Sequence, residues 1–498
     1  MPPYSRCYGV TRGLQRSRGK RKETDSDRLF RLISENKGLS VEEISEKLGW
    51  TSSKTNRMLG VLDRKGCIVK RVFPVAQPRI VAKPLSHIGV LLVLATMVAG
   101  IGLNALWYSQ ISQPISTISV PSVQSATTSV FTSTDSFGWR RYAEIAWRYY
   151  SPGVGVNPTT GIHRAKLDWD AITDWNTASY IIATIEAHRL GLIESNATWG
   201  FKDRIGKILR YLLTRELTVN LGVGNWPYWA YYWDGPPYYN PVYLYTDVSD
   251  SGRLLYALDI LRKHDPGFTE QVQQVYQRCK TAYDAMSTII DRHANYYGVL
   301  EAVGFSAFGY DESKIMNVFE NWQGQFINVE GQMLPQTGTI VEPTLHGVLE
   351  LGLGGKFFEY TRRIYETQKA RWERTGQLSG WSEGCHPVHE FVYECILMEN
   401  GEKWIIAKHD GTRVNIDPLM YTKVAFAYLA IFGENPYTTS LFNAASKLVN
   451  TRYGFGEAAF ENGESAISLW ASNLEGFYAD STNQIILAAA RYALKGSA

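Results

Sequence analysis

A single long apolar run divides the hydrophobic and polar pattern of the chain. Residues 88–106 read IGVLLVLATMVAGIGLNAL and carry no charged side chain. A helix of about 20 apolar residues is long enough to cross the ~30 Å hydrocarbon core of a bilayer. We therefore expect one transmembrane helix over residues 85–108, with the membrane as a partner and a separate region of the protein on each side.

The charges beside this run predict its orientation. Arg79 and Lys83 precede it closely, whereas the next positive side chain after it is Arg140. Cytoplasmic flanks are enriched in Lys and Arg, so the N-terminus is predicted to be cytoplasmic and the C-terminal region extracytoplasmic. Residues 1–83 have a net charge of +11, which leaves −8 for the rest of a chain whose net charge is +3. Such asymmetry suggests a polyanionic partner at the cytoplasmic end.

The cytoplasmic region predicts three short helices followed by a strand. Residues 1–25 lack periodicity and predict a flexible basic arm. A first helix covers 27–35; Ser40 and Glu43 then form a capping-box pattern that starts a second helix. A third helix follows from Thr51, and CIVKRVF has the β-branched content of a strand.

This order of elements resembles the winged helix-turn-helix domain of prokaryotic transcription regulators over residues 26–83. The resemblance implies DNA as a partner, read by residues near the N-terminus of the third helix. Two alternatives stay open, a protein-interaction module and a basic segment that binds anionic lipid. The implied DNA-binding residues are Ser52, Ser53, Lys54, Asn56 and Arg57.

The composition of residues 109–137 predicts an extended stalk. Half of the 28 residues from 109 to 136 are Ser or Thr, and Pro114 and Pro121 interrupt any helix. A flexible tether transmits rigid-body motion poorly, although it leaves dimerisation open.

Residues 138–498 predict ten helices of two alternating kinds. Some are apolar nearly all round, as in NTASYIIATIEAHRL, and others have one charged face, as in FKDRIGKILRYLLTREL. Helices of the first kind are buried and those of the second kind cover them, which favours an (α/α)6 toroid. The missing helix pair is expected within 304–340, and Asn400-Gly401 predicts the turn of an inserted β-hairpin. The predicted helices are Trp139–Tyr150, Trp175–Leu190, Phe201–Arg215, Val248–Lys263, Thr269–Asp291, Thr344–Leu353, Phe357–Thr375, Pro418–Phe432, Thr438–Leu448 and Thr482–Leu494.

The loops that precede the apolar helices are long and rich in aromatic and acidic residues. In a toroid these loops open on one rim, so their side chains would converge on one cleft. Aromatic rings stack on sugars, and glycosidic cleavage uses two carboxyl groups, which together favour a carbohydrate site. The candidate catalytic residues are Glu383, Asp250, Asp480, Glu475 and Asp174, with Glu301 and Glu342 ranked below them. The candidate carbohydrate-binding residues are Trp169, Trp175, Trp226, Trp229, Trp233 and Trp381.

Two segments of this region resemble a known family. They are WDAITDWNTASYIIATIEAHRLGLI (169–193) and YTDVSDSGRLLYALDIL (245–261). They are similar to a glucoamylase-like domain family of unknown function found in exported prokaryotic proteins. The resemblance implies an (α/α)6 fold related to glycoside hydrolases, without an assigned substrate or acid/base pair. The positions that match its motifs are Asp174, Ser179, Gly191, Asp250 and Gly252.

The segment CHPVHEFVYEC (385–395) raises two further possibilities. Its Cys and His spacing matches no established zinc pattern, so no metal is predicted. A disulfide between Cys385 and Cys395 is favoured instead, since the region is expected to lie outside the cytoplasm. The chain also shows no phosphate-binding Gly motif and no dinucleotide fingerprint, so no cofactor is predicted.

Two functions follow from these patterns. The first is a single-pass membrane protein whose outer domain is a glycoside hydrolase, with Glu383 as general acid and Asp250 or Asp480 as the second carboxyl group. Asp250 could equally be a helix N-cap. The alternative is a transmembrane sensor, in which the toroid binds glycan without cleaving it and the winged helix regulates transcription.

Overall fold

The computed structural model describes most of the C-terminal region and a few segments near the N-terminus. The predicted transmembrane helix (85–108), the stalk (109–137) and the proposed DNA-binding residues (52–57) lie outside the described residues. None of the helices that are described is both long and apolar enough to span a membrane. The described residues are 4–10, 32, 44, 47–49, 68–74, 138–240, 243–290, 292–387 and 390–495.

The chain divides into two compact units, Met1–Val123 and Gln124–Ala498. In the first unit, strand β1 (Tyr4–Val10) pairs antiparallel with strand β2 (Ile68–Pro74). Strand β2 coincides with the β-branched segment CIVKRVF. Strand β1 lies within the segment expected to be an unstructured arm, so that expectation does not hold for these seven residues. The physical reason is that Tyr and Val favour extended backbone, and the edge of β2 supplies hydrogen-bond partners.

The second unit is an (α/α)6 toroid, as the helical pattern predicted. Its six inner helices form a closed ring in which each helix contacts the next, and the last contacts the first. The inner helices are α2 (Asp174–Arg189), α4 (Val248–His264), α6 (Tyr296–Ser306), α8 (Glu342–Leu349), α10 (Thr422–Phe432) and α12 (Asp480–Lys495).

An outer layer of six helices covers the ring and completes six helical hairpins. Each outer helix precedes an inner helix in the chain, so all inner helices run in the same direction and begin on the same rim. The outer helices are α1 (Trp139–Trp147), α3 (Phe201–Thr214), α5 (Thr269–Ile290), α7 (Ser313–Met316), α9 (Gly355–Thr375) and α11 (Pro436–Ala445).

Small residues allow two inner helices to approach closely. A Cβ atom at Gly252 of α4 would lie 2.6 Å from the Cα atom of Glu301, and one at Gly304 of α6 would lie 2.0 Å from the carbonyl oxygen of Gly252. Neither helix could keep its position with a larger residue there. Gly252, one of the positions that match the family motif, is therefore a packing residue.

The two helices whose positions were not predicted from the sequence are α6 and α7. Helix α6 begins at Tyr296, before the expected stretch 304–340, and α7 has only four residues. Two glycines interrupt the helical pattern of α6, and four residues are too few to show a period, which explains the error. Helix α10 begins at Thr422 rather than Pro418, because Leu419–Tyr421 forms a strand.

Short strands line the rim from which the inner helices start. Strands β9, β10 and β11 form a three-stranded antiparallel sheet, and β10 and β11 are the predicted hairpin. Gly401 turns it with a φ of +86°. The remaining strands form two-stranded pairs. The strands are β3 (Ala171–Thr173), β4 (Leu217–Asn220), β5 (Val223–Pro227), β6 (Ala230–Tyr232), β7 (Phe326–Val329), β8 (Gln332–Pro335), β9 (Glu383–His386), β10 (Glu390–Leu397), β11 (Lys403–Ala407), β12 (Leu419–Tyr421), β13 (Val449–Asn450), β14 (Gly454–Phe455) and β15 (Ala458–Phe460).

The sheet register overturns the predicted disulfide. Cys385 of β9 lies opposite Phe391 of β10, and Cys395 is four residues further along that strand. At about 3.3 Å per residue this is roughly 13 Å, whereas bridged cysteines have Cα atoms less than about 7 Å apart. Both residues are free thiols.

Candidate functional site

The candidate site lies on the rim where the inner helices begin. Its acidic residues come from the first residues of these helices and from the strand β9, because the long loops return the chain to this rim before each inner helix. Helix N-termini carry partial positive charge, which favours carboxylates there. The acidic residues are Asp247 and Asp250 at the start of α4, Glu342 at the start of α8, and Glu383 at the start of β9.

Glu383 has the environment of a general acid. Its side chain is buried, and the Tyr297 hydroxyl donates a hydrogen bond to Oε2. Burial and the negative charge of Glu342 raise the pKa of Glu383 to about 8, against the opposing effects of Lys423 and Tyr297. A carboxyl group that keeps its proton at neutral pH can donate it to a leaving group.

Glu342 is the ionised neighbour of Glu383. Burial raises its pKa, but Lys423 and His346 outweigh this effect and lower the pKa to about 2. The Lys423 ammonium donates to Oε2 of Glu342, and the His346 Nε2 atom lies 3.3 Å from Oε1. Lys423 also lies 3.9 Å from Glu457, so one buried cation serves two carboxylates.

Asp247 and Asp250 form a second pair at the start of α4. Asp247 is the N-cap, since its Oδ1 atom accepts the Asp250 backbone N–H at 2.9 Å. Asp250, half-exposed, is therefore not the cap, which resolves the choice that the sequence left open. Removal of water raises its pKa well above the usual range, and the charges of Asp247 and Asp174 add to this.

The charges of both pairs act on the phenol of Tyr393, which belongs to strand β10 and lies opposite Glu383 in the sheet register. Burial raises the pKa of Tyr393 well above its usual value. The charges of Glu383, Asp247, Asp250 and Glu342 then raise it further, in that order. Residues that lie directly opposite each other in an antiparallel pair carry their side chains on the same face of the sheet, so Tyr393 and Glu383 are neighbours on the rim.

Three of the predicted catalytic residues are engaged elsewhere. Asp174 is buried and forms a bidentate ion pair with Arg215, in which the Nη2 atom of Arg215 lies 3.0 Å from Oδ2 of Asp174. Asp480 is buried between the His163 Nε2 atom and the Asn176 amide, each 3.2 Å from its carboxylate. Glu475 is exposed and accepts a hydrogen bond from Tyr453. None of the three belongs to the cluster around Tyr393.

The six predicted tryptophans separate into three groups. Trp226 and Trp381 are buried, and their indole N–H groups bond to Thr246 and Glu461, so neither is open to a ligand. Cations cover the rings of two others, with Arg253 4.3 Å from Trp175 and Arg164 4.5 Å from Trp233. Trp169 and Trp229 are half-exposed, with ring centroids 5.7 Å apart.

The sequence did not single out Tyr297, Tyr393 or Lys423. Tyr297 stands in a helix that was not predicted, and Tyr393 stands in strand β10 of the inserted hairpin, for which no functional residue was predicted. Lys423 did leave a signal, because it is the one charged residue in the apolar segment PLMYTKVAFAYLAIF. A charge inside a helix that is otherwise apolar must find a buried partner.

No metal or cofactor site emerges from the part of the chain that the structure describes. Within those residues, no cluster of three or more His, Cys, Asp or Glu side chains could hold a metal ion. His389, which belonged to the metal alternative, lies outside the described residues.

Comparison with known proteins places this toroid in a family. A model of proteins of unknown function, DUF3131, matches residues 141–496. The chain belongs to the DUF3131 family. No curated protein sequence matches the chain. This membership is consistent with the resemblance that the motifs in 169–193 and 245–261 indicated.

Solved structures share the fold at low sequence identity. A provisionally assigned glucoamylase from Bacteroides caccae has a TM-score of 0.52 and 11% identity, over 73% of this chain and 94% of its own. An endo-β-1,2-glucanase from Chitinophaga pinensis, in complex with sophorotriose and glucose, has a TM-score of 0.50 and 12% identity, over 72% and 92%. A second provisional glucoamylase, from Bacteroides fragilis, has a TM-score of 0.50 and 12% identity, over 74% and 94%. At these identities the similarity establishes the glucoamylase-like (α/α)6 fold.

Proposed function

We propose that residues 138–498 form a glycoside hydrolase that cleaves a polysaccharide of the glucan class. The observation that carries this proposal is that Glu383 lies opposite Tyr393 in the sheet register, and that the charges of Asp247, Asp250 and Glu342 act on the same phenol. Glycosidic hydrolysis requires a proton donor and a second carboxyl group in one cleft. The fold neighbours support the substrate class, since one is a β-1,2-glucanase with a bound oligosaccharide and two are provisional glucoamylases.

Glu383 is the general acid in this proposal. Its raised pKa keeps the carboxyl group protonated at neutral pH, and Tyr297 fixes its orientation. The proton passes from Glu383 to the glycosidic oxygen as the bond between that oxygen and the anomeric carbon breaks. The leaving sugar departs as an alcohol, and Glu383 is left as a carboxylate.

The pair Asp247 and Asp250 supplies the base. Asp247 is exposed and Asp250 half-exposed, and their carboxyl groups titrate together, so a pair that shares one proton still holds one carboxylate. This carboxylate takes a proton from water, and the water oxygen bonds to the anomeric carbon. Each turnover thus consumes one water molecule and returns both carboxyl groups to their starting states after proton exchange with solvent.

A hydrolysis panel tests the proposal. The full chain is incubated with soluble β-1,2-, β-1,3- and β-1,4-glucans and with α-glucans, and newly formed reducing ends are measured. We expect cleavage of at least one glucan, and a loss of at least about 100-fold in kcat for Glu383→Gln and for Asp250→Asn.

The matched control is Glu464→Gln, which removes an exposed carboxylate from another loop of the same rim. Its activity should equal that of the wild type. Absence of cleavage across the panel by a folded wild-type protein would overturn the proposal, and so would full activity of Glu383→Gln.

We also propose that residues 85–108 anchor this domain outside the cytoplasm. The apolar run and the charge asymmetry of its flanks support the anchor and the orientation. Alkaline extraction of membranes tests the anchor, and protease protection in spheroplasts tests the side. Release of the full chain by alkali, or protection of residues 138–498 in intact spheroplasts, would contradict this topology.

A further inference from the structure

The half-exposed tryptophans Trp169 and Trp229 belong to a larger cluster of aromatic rings on the rim. Trp229 lies 5.1 Å from Tyr243, measured between ring centroids, and Trp169 lies 5.6 Å from Tyr238. We call Trp169, Trp229, Tyr238 and Tyr243 the aromatic platform. Across the residues that the structure describes, no cation stacks on either of its tryptophans, in contrast to Trp175 and Trp233.

One edge of the platform adjoins the proposed base. One residue, Asp170, separates Trp169 from strand β3, and Trp229 directly precedes strand β6, which pairs with β3. Strand β3 ends at Thr173, whose hydroxyl interacts with the Asp250 carboxyl group. Four residues of extended chain separate Trp169 from Thr173, which is at most about 14 Å. The platform is therefore a few sugar residues away from Asp250.

The other edge adjoins the sheet that carries the proposed acid. The Tyr243 hydroxyl lies 2.8 Å from the His409 Nδ1 atom. One residue, Lys408, separates His409 from strand β11, which belongs to the same sheet as Glu383 and Tyr393. The aromatic platform thus contacts the segment that follows β11 at one edge, and at the other it adjoins the paired strands β3 and β6.

We propose that the aromatic platform is a remote binding subsite for a glucan chain. This inference rests on the proposed function and adds that the substrate is a polymer held by several consecutive sugars, rather than a disaccharide. The ligand chemistry follows from the rings: the apolar faces of pyranose sugars pack on aromatic rings, and nearby hydroxyl and carboxylate groups bind their polar edges. The Tyr238 phenol supplies such a polar group, and so does the exposed Asp170 carboxylate, one oxygen of which pairs with Arg164 at 2.6 Å.

Binding can be measured independently of cleavage. Each platform substitution is combined with Glu383→Gln in the full chain, and binding is followed by affinity electrophoresis in gels that contain soluble β-1,2-glucan, β-1,3-glucan, β-1,4-glucan or glycogen. We expect that Trp169→Ala and Trp229→Ala each weaken binding of the retarding polymer by about tenfold. Trp229→Phe, which keeps an aromatic face, should retain most of the affinity.

The control is Trp199→Ala, which removes a tryptophan from the loop between α2 and α3 at the opposite rim. Thermal melting shows whether each variant is folded. In the cleavage-competent background, Trp229→Ala should raise KM for the polymer about tenfold while kcat for a short aryl glucoside stays within twofold.

The outcomes distinguish the two proposals. If the protein binds a glucan and the platform variants weaken that binding, the platform stands even where no cleavage occurs, and only hydrolysis is overturned. If cleavage occurs but folded Trp169→Ala and Trp229→Ala bind and turn over the polymer as the wild type does, the platform is overturned and hydrolysis stands. If no polymer is bound or cleaved, both are overturned.

Discussion

Glu342 and Glu383 are neighbouring buried carboxyl groups whose pKa values are shifted in opposite directions. The pKa of Glu342 lies at about 2 and that of Glu383 at about 8. Burial raises the pKa of both groups. At Glu342 the hydrogen-bonded Lys423 and His346 outweigh burial, whereas at Glu383 the negative charge of Glu342 adds to it. Environments that separate two carboxyl groups in this way assign one as the proton donor.

The pH dependence of kcat follows from this pair. Glu383 must be protonated to act, so activity should decline as the pH rises through about 8. Glu342→Gln removes the charge that raises the pKa of Glu383, and the alkaline limb should move to lower pH. A pH–rate profile measured on the cleaved glucan checks this shift. An unchanged alkaline limb in folded Glu342→Gln would contradict the proposed coupling.

Lys423 should be a major determinant of stability. Lys423→Met leaves the Glu342 charge buried without its cation, which costs about 3–5 kcal/mol of the free energy of unfolding. Urea unfolding measures the change. The control Lys356→Met removes a surface cation paired with Glu359 and should leave the urea midpoint nearly unchanged, because solvent screens such a pair.

A double substitution sharpens this prediction. Lys423→Met combined with Glu342→Gln removes both charges, and should be more stable than Lys423→Met alone. If Lys423→Met and Lys356→Met unfold at the same urea concentration, the buried pair has no special role in stability.

The close contact between α4 and α6 predicts opposite effects of two glycine substitutions. Gly252→Ala places a methyl group 2.6 Å from the Glu301 Cα atom, so we expect a loss of about 1–3 kcal/mol. Gly206→Ala in α3 meets nothing within 4 Å and should stabilise the protein by about 0.5–1 kcal/mol. Thermal unfolding compares the two variants; equal melting temperatures would contradict the packing.

The free thiols are open to a direct chemical check. Without reductant, alkylation of the denatured protein should label Cys279, Cys385 and Cys395 completely, as measured by peptide mass spectrometry. A reducing agent should leave the melting temperature of the toroid unchanged. Recovery of a peptide pair that links Cys385 to Cys395 would show the sheet register to be wrong.

The helical architecture could be predicted from the sequence because burial leaves a local pattern. A helix such as α2, apolar on every side, must be surrounded by protein, and a helix such as α3, with one charged face, must cover something. Ten helices and the hairpin at Asn400-Gly401 follow from such patterns. Helices α6 and α7 could not be predicted in this way. Glycines interrupt the hydrophobic pattern of α6, and α7 is too short to show a helical period.

The sequence by itself determined that acidic and aromatic residues gather in the loops before the inner helices, because loop length and composition are local properties. It could not determine which of them act together. Asp174, Asp250 and Asp480 occupy similar places near helix N-termini, yet Arg215 neutralises the first and His163 contacts the third, while Asp250 stays at the cleft. These partners are distant in the chain, so only the tertiary structure decided which carboxyl groups remain available for chemistry.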